Sequence, residues 1–128
     1  MKAVIIMGSK ADEHHAEKIT DKLDEYGISW DQHVASAHKT PLKVLEILER
    51  NDKEKELVYI TIAGRSNALS GFVAANSKFP TIGCPPFSDK SDMLVNIHST
   101  LQMPSMTPVL TVIDPGNCAL AVKRIFSV

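Results

Sequence analysis

Cysteines and aromatic residues are scarce in this chain, and long apolar runs and blocks of one charge are missing. Only two cysteines, Cys84 and Cys118, occur in 128 residues, with no CxxC pair and no histidine at metal-ligand spacing. That argues against a disulfide-stapled scaffold, and two unpaired thiols fit a reducing cytosol. None of the five histidines falls in an HExxH pattern, so no metal site is expected. No apolar stretch approaches the roughly 20 residues a membrane helix needs, so no membrane partner is expected. The formal net charge of −1 comes without a basic block, which points away from nucleic acid. GxGxxG and GxxxxGK[ST] are both absent, weighing against dinucleotides and ATP. The opening MKAVIIMG runs into serine without a cleavage-like site and reads as a strand rather than a signal peptide.

What is present is 44% hydrophobic residues in a length suited to one domain, residues 1–128. The chain centres on LVYITIAGRSNALSG, Leu57 to Gly71. Leu57 to Ile62 is apolar and β-branched without alternation, the pattern of a strand buried on both faces. Small residues Ala63 and Gly64 follow, then Arg65-Ser66-Asn67, then an apolar run that reads as a core helix capped by Ser66 or Asn67. A buried strand ending in such a turn leaves free N–H groups at the carboxyl edge of a sheet, where open α/β sheets bind anions.

The same alternation runs along the chain. Lys2 to Met7 reads as a first strand, and Ala16, Ile19, Leu23 and Tyr26 mark an amphipathic helix stopped by Gly27. Ile28 to Ala35 is a weakly patterned strand, and Thr40-Pro41 signals the next helix by an N-cap and a proline at its first position. Pro80 to Cys84 and Val109 to Ile113 are further strands. Helices are expected over about Ser91 to Leu101 and Cys118 to Phe126, with Asp114 to Asn117 as a turn. Five strands alternating with five helices specify a flavodoxin-like three-layer α/β/α sandwich with a parallel sheet, expected in order 2-1-3-4-5. In that order the winding reverses between strands one and three, and the loops GSKAD, SAHK and AGRSN converge on one crevice.

Each loop carries ligand-grade residues. Gly8 to Asp12 offers a hydroxyl and backbone donors at a helix start, suited to a phosphate. Asp12 has two readings, a helix cap or an acceptor for ribose hydroxyls. As a histidine, the residue type suited to proton transfer near neutral pH, His38 is the natural proton carrier, though a surface histidine before a helix is the ordinary alternative. Lys39 adds a cation beside it. Among the other histidines, His14 and His15 are expected on a solvated helix, His33 in a strand and His98 in a late helix. Cys84, before Pro85-Pro86, has no readable histidine partner and reads as a buried structural thiol. Met103 and Met106 suit packing or subunit contact.

Taken together, IMGSKAD, ASAHKTP, IAGRSNALSG and CPP followed by LQMPS resemble the phosphoribosylaminoimidazole carboxylase (PurE) family, from Lys2 to Phe126. Lys39 after the SAH histidine and AGRSNALSG resemble the class that carboxylates aminoimidazole ribonucleotide (AIR) directly with CO2, giving CAIR. The resemblance implies substrate-binding roles for Ser9, Asp12, Ser36, Lys39, Gly64 and Ser66, and proton transfer by His38. It also implies no cofactor, a cytoplasmic enzyme and a homo-oligomer, commonly an octamer. Ala11 stands where the MGSxSD motif usually has serine, leaving phosphate affinity more to Lys39 and backbone donors. Gln102 is closer to the class that works as an N5-CAIR mutase. That mutase and a non-catalytic flavodoxin-like nucleotide-binding module are the alternative readings.

Overall fold

The computed structural model describes residues 1–128. Five parallel strands, β1 (Lys2–Met7), β2 (Ser29–Val34), β3 (Leu57–Ile62), β4 (Thr81–Gly83) and β5 (Leu110–Thr111), form one sheet in the order β2-β1-β3-β4-β5. The helices between and after them are α1 (Glu13–Glu25), α2 (Pro41–Asn51), α3 (Leu69–Ala75), α4 (Lys90–Leu101) and α5 (Pro115–Ile125). This is the predicted topology. None of the helices is long and apolar enough to cross a membrane.

Strand position explains strand composition. All six residues of central β3 are buried, whereas edge strand β2 has no fully buried residue, which is why its apolar pattern is weak. Side chains alternate across the sheet. Ala3, Ile5, Met7, Val58, Ile60, Ile62 and Ile82 pack on one face against Ala16, Ile19 and Leu23 of α1 and Ala119 and Val122 of α5. Val4, Ile6, Leu57 and Tyr59 pack on the other against Val44, Ile47 and Leu48 of α2 and Leu69 and Val73 of α3. Cutting a buried isoleucine such as Ile60 to alanine costs about 2–5 kcal/mol in such a core.

Four local readings are corrected. Asp114 is a helix cap rather than part of a free turn: its carboxylate accepts from Asn117 N at 2.9 Å and Pro115 opens α5. Thr40 occupies the cap position of α2 but makes no capping bond; its Oγ1 accepts from Ser36 N at 2.9 Å instead. Strand β5 pairs with β4 at only two residues, shorter than its apolar run implied. His15 lies buried on the inner flank of α1, while its neighbour His14 alone is solvated.

Candidate functional site

The carboxyl ends of β2, β1, β3 and β4 are tied together before their loops begin. Gly8 N donates to Ile62 O at 2.9 Å, Ala35 N to Met7 O at 2.9 Å, and Cys84 N to Thr61 O at 2.9 Å. The loops therefore leave the sheet in fixed register. Gly8 lies so near the third loop that a Cβ on it would sit 3.7 Å from Ala63 Cβ. The winding reversal between β1 and β3 opens the crevice here, as expected at a topological switch point.

Two adjoining chambers fill the crevice. The smaller, about 170 Å³, is lined by Gly8, Ser9 and Asp12 of the first loop, Ser36 and His38 of the second, and Gly64 and Ser66 of the third. The larger, about 510 Å³, shares Ser9, Asp12 and Gly64 and extends over His15, Lys18, Arg65, Phe87 and Asn96. Six of the seven site residues named from the sequence, Ser9, Asp12, Ser36, His38, Gly64 and Ser66, thus border one space. Lys39 does not: it is exposed and outside both linings, with its backbone N–H donating to Ser36 Oγ at 3.1 Å.

Local hydrogen bonding prepares these groups for an anion. Ser9 Oγ accepts from Ala11 N at 3.2 Å and Ser36 Oγ from Lys39 N, so each serine keeps its own O–H free to donate. The SAHKT turn is closed twice more, by Thr40 N on Ser36 O at 2.8 Å and by Ser36 N on Thr40 Oγ1. His38 is thereby carried on a braced turn. Asp12 stands at the cap position of α1 yet makes no capping bond, which leaves its carboxylate available and favours the ligand reading over the capping one. Burial pushes its carboxyl above the ordinary value, opposed by the nearby charge of His15 and a hydrogen bond from the Ser9 backbone.

The third loop is held from α4. The cap position of α3 falls to Ala68 rather than to the expected Ser66 or Asn67, while Asn67, one residue earlier, accepts from Ser70 N through its Oδ1 at 3.1 Å. Its Nδ2 donates to Ser70 Oγ at 2.8 Å and Thr100 Oγ1 at 2.9 Å, inside the core.

His15, Lys18, Phe87, Ser88 and Asn96 were not singled out from the sequence as site residues. For His15 a signal existed, because it lies three residues after Asp12 on the same helical face. Cys84 was read as lacking a histidine partner. Its Sγ in fact meets His15 Nε2 at 3.5 Å, and the His15 ring sits edge-on to Phe87 with centroids 5.9 Å apart. The neighbouring Cys118 thiol, aided by His15, brings the Cys84 thiol down to about 6 against the opposing effect of burial. Cys118 is correspondingly pushed well up. Both cysteines are buried and free.

Comparison with known proteins agrees with the fold. The family model described as AIR carboxylase matches residues 2–128. A phosphoribosylaminoimidazole carboxylase of Archaeoglobus fulgidus is 52% identical over 127 residues, 99% of this chain and 69% of that protein. Its namesake from Treponema denticola is 47% identical over 125 residues, covering 97% of this chain and 78% of the relative. The crystal structure of Treponema denticola PurE superposes with a TM-score of 0.93 at 46% identity, over 98% of this chain and 80% of that one.

Proposed function

The chain belongs to the AIR carboxylase family, and from that membership we propose that it carboxylates 5-aminoimidazole ribonucleotide at C4 with CO2, reversibly, as a class II enzyme of purine biosynthesis. One observation carries the reading: Asp12, His38 and Ser66, distant in sequence, border a single chamber of about 170 Å³ at the carboxyl edge of the sheet. With the adjoining chamber of about 510 Å³, which shares Ser9, Asp12 and Gly64, the crevice reaches the size of small-molecule sites.

The chemistry asks mainly for positioning. AIR is enamine-like, so its C4 can attack the carbon of CO2 directly when the two are held in contact. In this assignment Ser9 and Ser36 donate their free O–H groups to the 5′-phosphate, and Lys39, exposed on the turn beside His38, supplies a cation. The Asp12 carboxylate accepts from the ribose hydroxyls. Gly64 and Ser66 border the imidazole and the incoming carboxylate. Attack forms the C4–carboxylate bond and leaves the ring hydrogen on the same carbon. Neutral His38 removes that proton, and the C–H electron pair returns to the ring to restore aromaticity. In the decarboxylation direction, protonated His38 delivers the proton to C4 before CO2 departs.

Exposed apolar side chains on α4 and around β5, among them Leu94, Val95, Leu101, Met106 and Leu110, support a homo-oligomer, with an octamer as the family expectation. The free thiols support a cytoplasmic setting. The assay is direct: AIR and isotopically labelled bicarbonate are incubated with the protein without ATP, and the products are resolved by mass. Labelled product carboxylated at C4 is expected. Conversion of N5-carboxylated AIR alone, with none from AIR and CO2, would reassign the chain to the mutase class.

A further inference from the structure

Helix α4 is built inside out. Its exposed positions include the apolar Leu94, Val95 and Leu101, whereas Asn96 and Thr100 are buried polar residues at 5% and 1% exposure. A buried polar stripe is costly unless every group finds a partner. Here the partners lie in the third loop. Arg65 N donates to Asn96 Oδ1 at 3.0 Å, Asn67 N to Ser99 Oγ at 2.8 Å, and Asn67 Nδ2 to Thr100 Oγ1 at 2.9 Å. Positions 96, 99 and 100 share one helical face. They grip alternate residues of the loop that contributes Gly64 and Ser66 to the chamber.

Asn96 occupies the critical place in this stripe. Besides accepting from Arg65 N, its Nδ2 donates to Pro86 O at 2.5 Å and Asp92 Oδ2 at 3.3 Å, joining the loop after β3 to the loop after β4. Contact with Gly64 is so close that a Cβ there would stand 3.0 Å from Asn96 Oδ1. The next residue, Arg65, holds φ at 54°, a left-handed conformation that a residue with a side chain adopts only when its surroundings impose it. In that conformation its N–H is the group that donates to Asn96 Oδ1. Nothing in Asn96 is suited to proton transfer at neutral pH, so its contribution is to geometry.

We infer that Asn96 is a positioning residue of the carboxylase site, clamping the Gly64–Arg65 turn to α4 and Pro86 so that Gly64 and Ser66 keep a fixed place opposite His38. The inference rests on the carboxylase reading for its kinetic consequence and on the hydrogen bonds alone for its structural one. A clamp of this kind lowers kcat through misalignment more than it weakens substrate binding.

The test uses Asn96→Ala, which removes all three bonds, and Asn96→Asp, which keeps the acceptor for Arg65 N and loses the donor to Pro86 and Asp92. Steady-state carboxylation of AIR is measured beside amide hydrogen exchange of the full chain. The expectation for Asn96→Ala is a kcat loss of about tenfold or more with KM changed by less than about threefold. Asn96→Asp recovers part of that loss, and exchange accelerates at Arg65 and Asn67 while β1 and β3 stay protected. Ser99→Ala, which removes the single bond from Asn67 N, loses less activity than Asn96→Ala. Unchanged kcat in folded Asn96→Ala overturns the inference, as does acceleration spread evenly over the chain. Should Asn96→Ala fail to fold, Asn96→Asp decides: intermediate kcat with faster exchange confined to the third loop supports the clamp, and wild-type values overturn it. If the wild-type protein shows no carboxylation, the functional reading fails separately, and the local exchange pattern alone decides whether the clamp exists.

Discussion

Cys84 and His15 stand 69 residues apart in the chain, and their Sγ and Nε2 atoms meet at 3.5 Å behind the larger chamber. The thiol closes β4 and the imidazole rides on the second residue beyond the start of α1, so the contact joins the fourth strand to the first crossover helix. His15 also borders the space that Asp12 borders. The charge state of a buried sulfur is thereby coupled to one wall of the site.

That coupling predicts a particular pH dependence of stability. Cys84 is lowered to about 6 from 9.0 by the Cys118 thiol first and His15 next, and Cys118 is raised well above 9.0. Between about 6 and 9 the unfolded chain carries the Cys84 proton that the folded chain has released, so this group's contribution grows with pH across that window and is lost as pH falls through 6. Above 9.0 the sign inverts: the unfolded chain releases the Cys118 proton while the folded chain keeps it, and stability declines. Denaturant titrations of wild type and Cys84→Ser from pH 6 to 10 check this, with a thiolate absorbance titration alongside. A wild-type curve parallel to that of Cys84→Ser throughout, with no thiolate at pH 7.5, would refute it.

Asp12 gives a second pH signature, of opposite sense. Burial raises its carboxyl above 3.8, so the stability contributed by the protonated form is complete below 3.8 and lost as pH rises through the raised value. Ribose binding needs the other form, the carboxylate. We therefore expect KM for AIR to rise as pH falls, with a midpoint above the ordinary carboxylate range of about 4. Asp12→Asn should raise KM about tenfold and flatten that dependence. A variant retaining the wild-type KM would return Asp12 to the role of a helix-start residue.

Most of the architecture was legible because burial and topology constrain it. Unbroken apolar character from Leu57 to Ile62 places β3 in the centre, the alternation with helices specifies parallel pairing, and the reversal between β1 and β3 brings the three loops together. What escaped was pairing across long sequence distances. Nothing near Cys84 announces His15, and nothing in MLVNIHSTL announces that Asn96 will take the N–H of Arg65. Hydroxyl competition also escaped. Thr40 looks like a cap, but the tight SAHKT turn offers its oxygen a nearer donor in Ser36 N. Asp114-Pro115 carries the same cap-and-proline signal as Thr40-Pro41, and there the side chain does make the capping bond.

Tyr59 supplies a stability prediction with an unusual sign. Its ring is fully buried against Phe79, centroids 6.3 Å apart, and its hydroxyl has no hydrogen-bond partner. Burial, with Asp52 and Glu54 adding to it, pushes the phenol up to about 12. An unpaired buried hydroxyl costs about 1–3 kcal/mol of desolvation, so Tyr59→Phe should leave thermal stability unchanged or raise it. A loss of more than about 1 kcal/mol in denaturant unfolding would mean that the hydroxyl has a partner after all.

His38 carries the most demanding prediction, because binding and chemistry part there. The SAHKT turn owes its shape to Ser36 and Thr40, and the His38 side chain takes no part in those bonds. His38→Asn should therefore leave the turn, the free hydroxyls of Ser9 and Ser36 and the Asp12 carboxylate in place. AIR affinity should stay within about tenfold, or about 1.4 kcal/mol. Turnover should vanish, because asparagine can neither take the C4 proton after attack on CO2 nor return it before decarboxylation. Calorimetric AIR binding measured beside carboxylation and decarboxylation rates separates the two effects. Loss of binding together with turnover would make His38 a binding residue, and preserved turnover would move the proton transfer to another group.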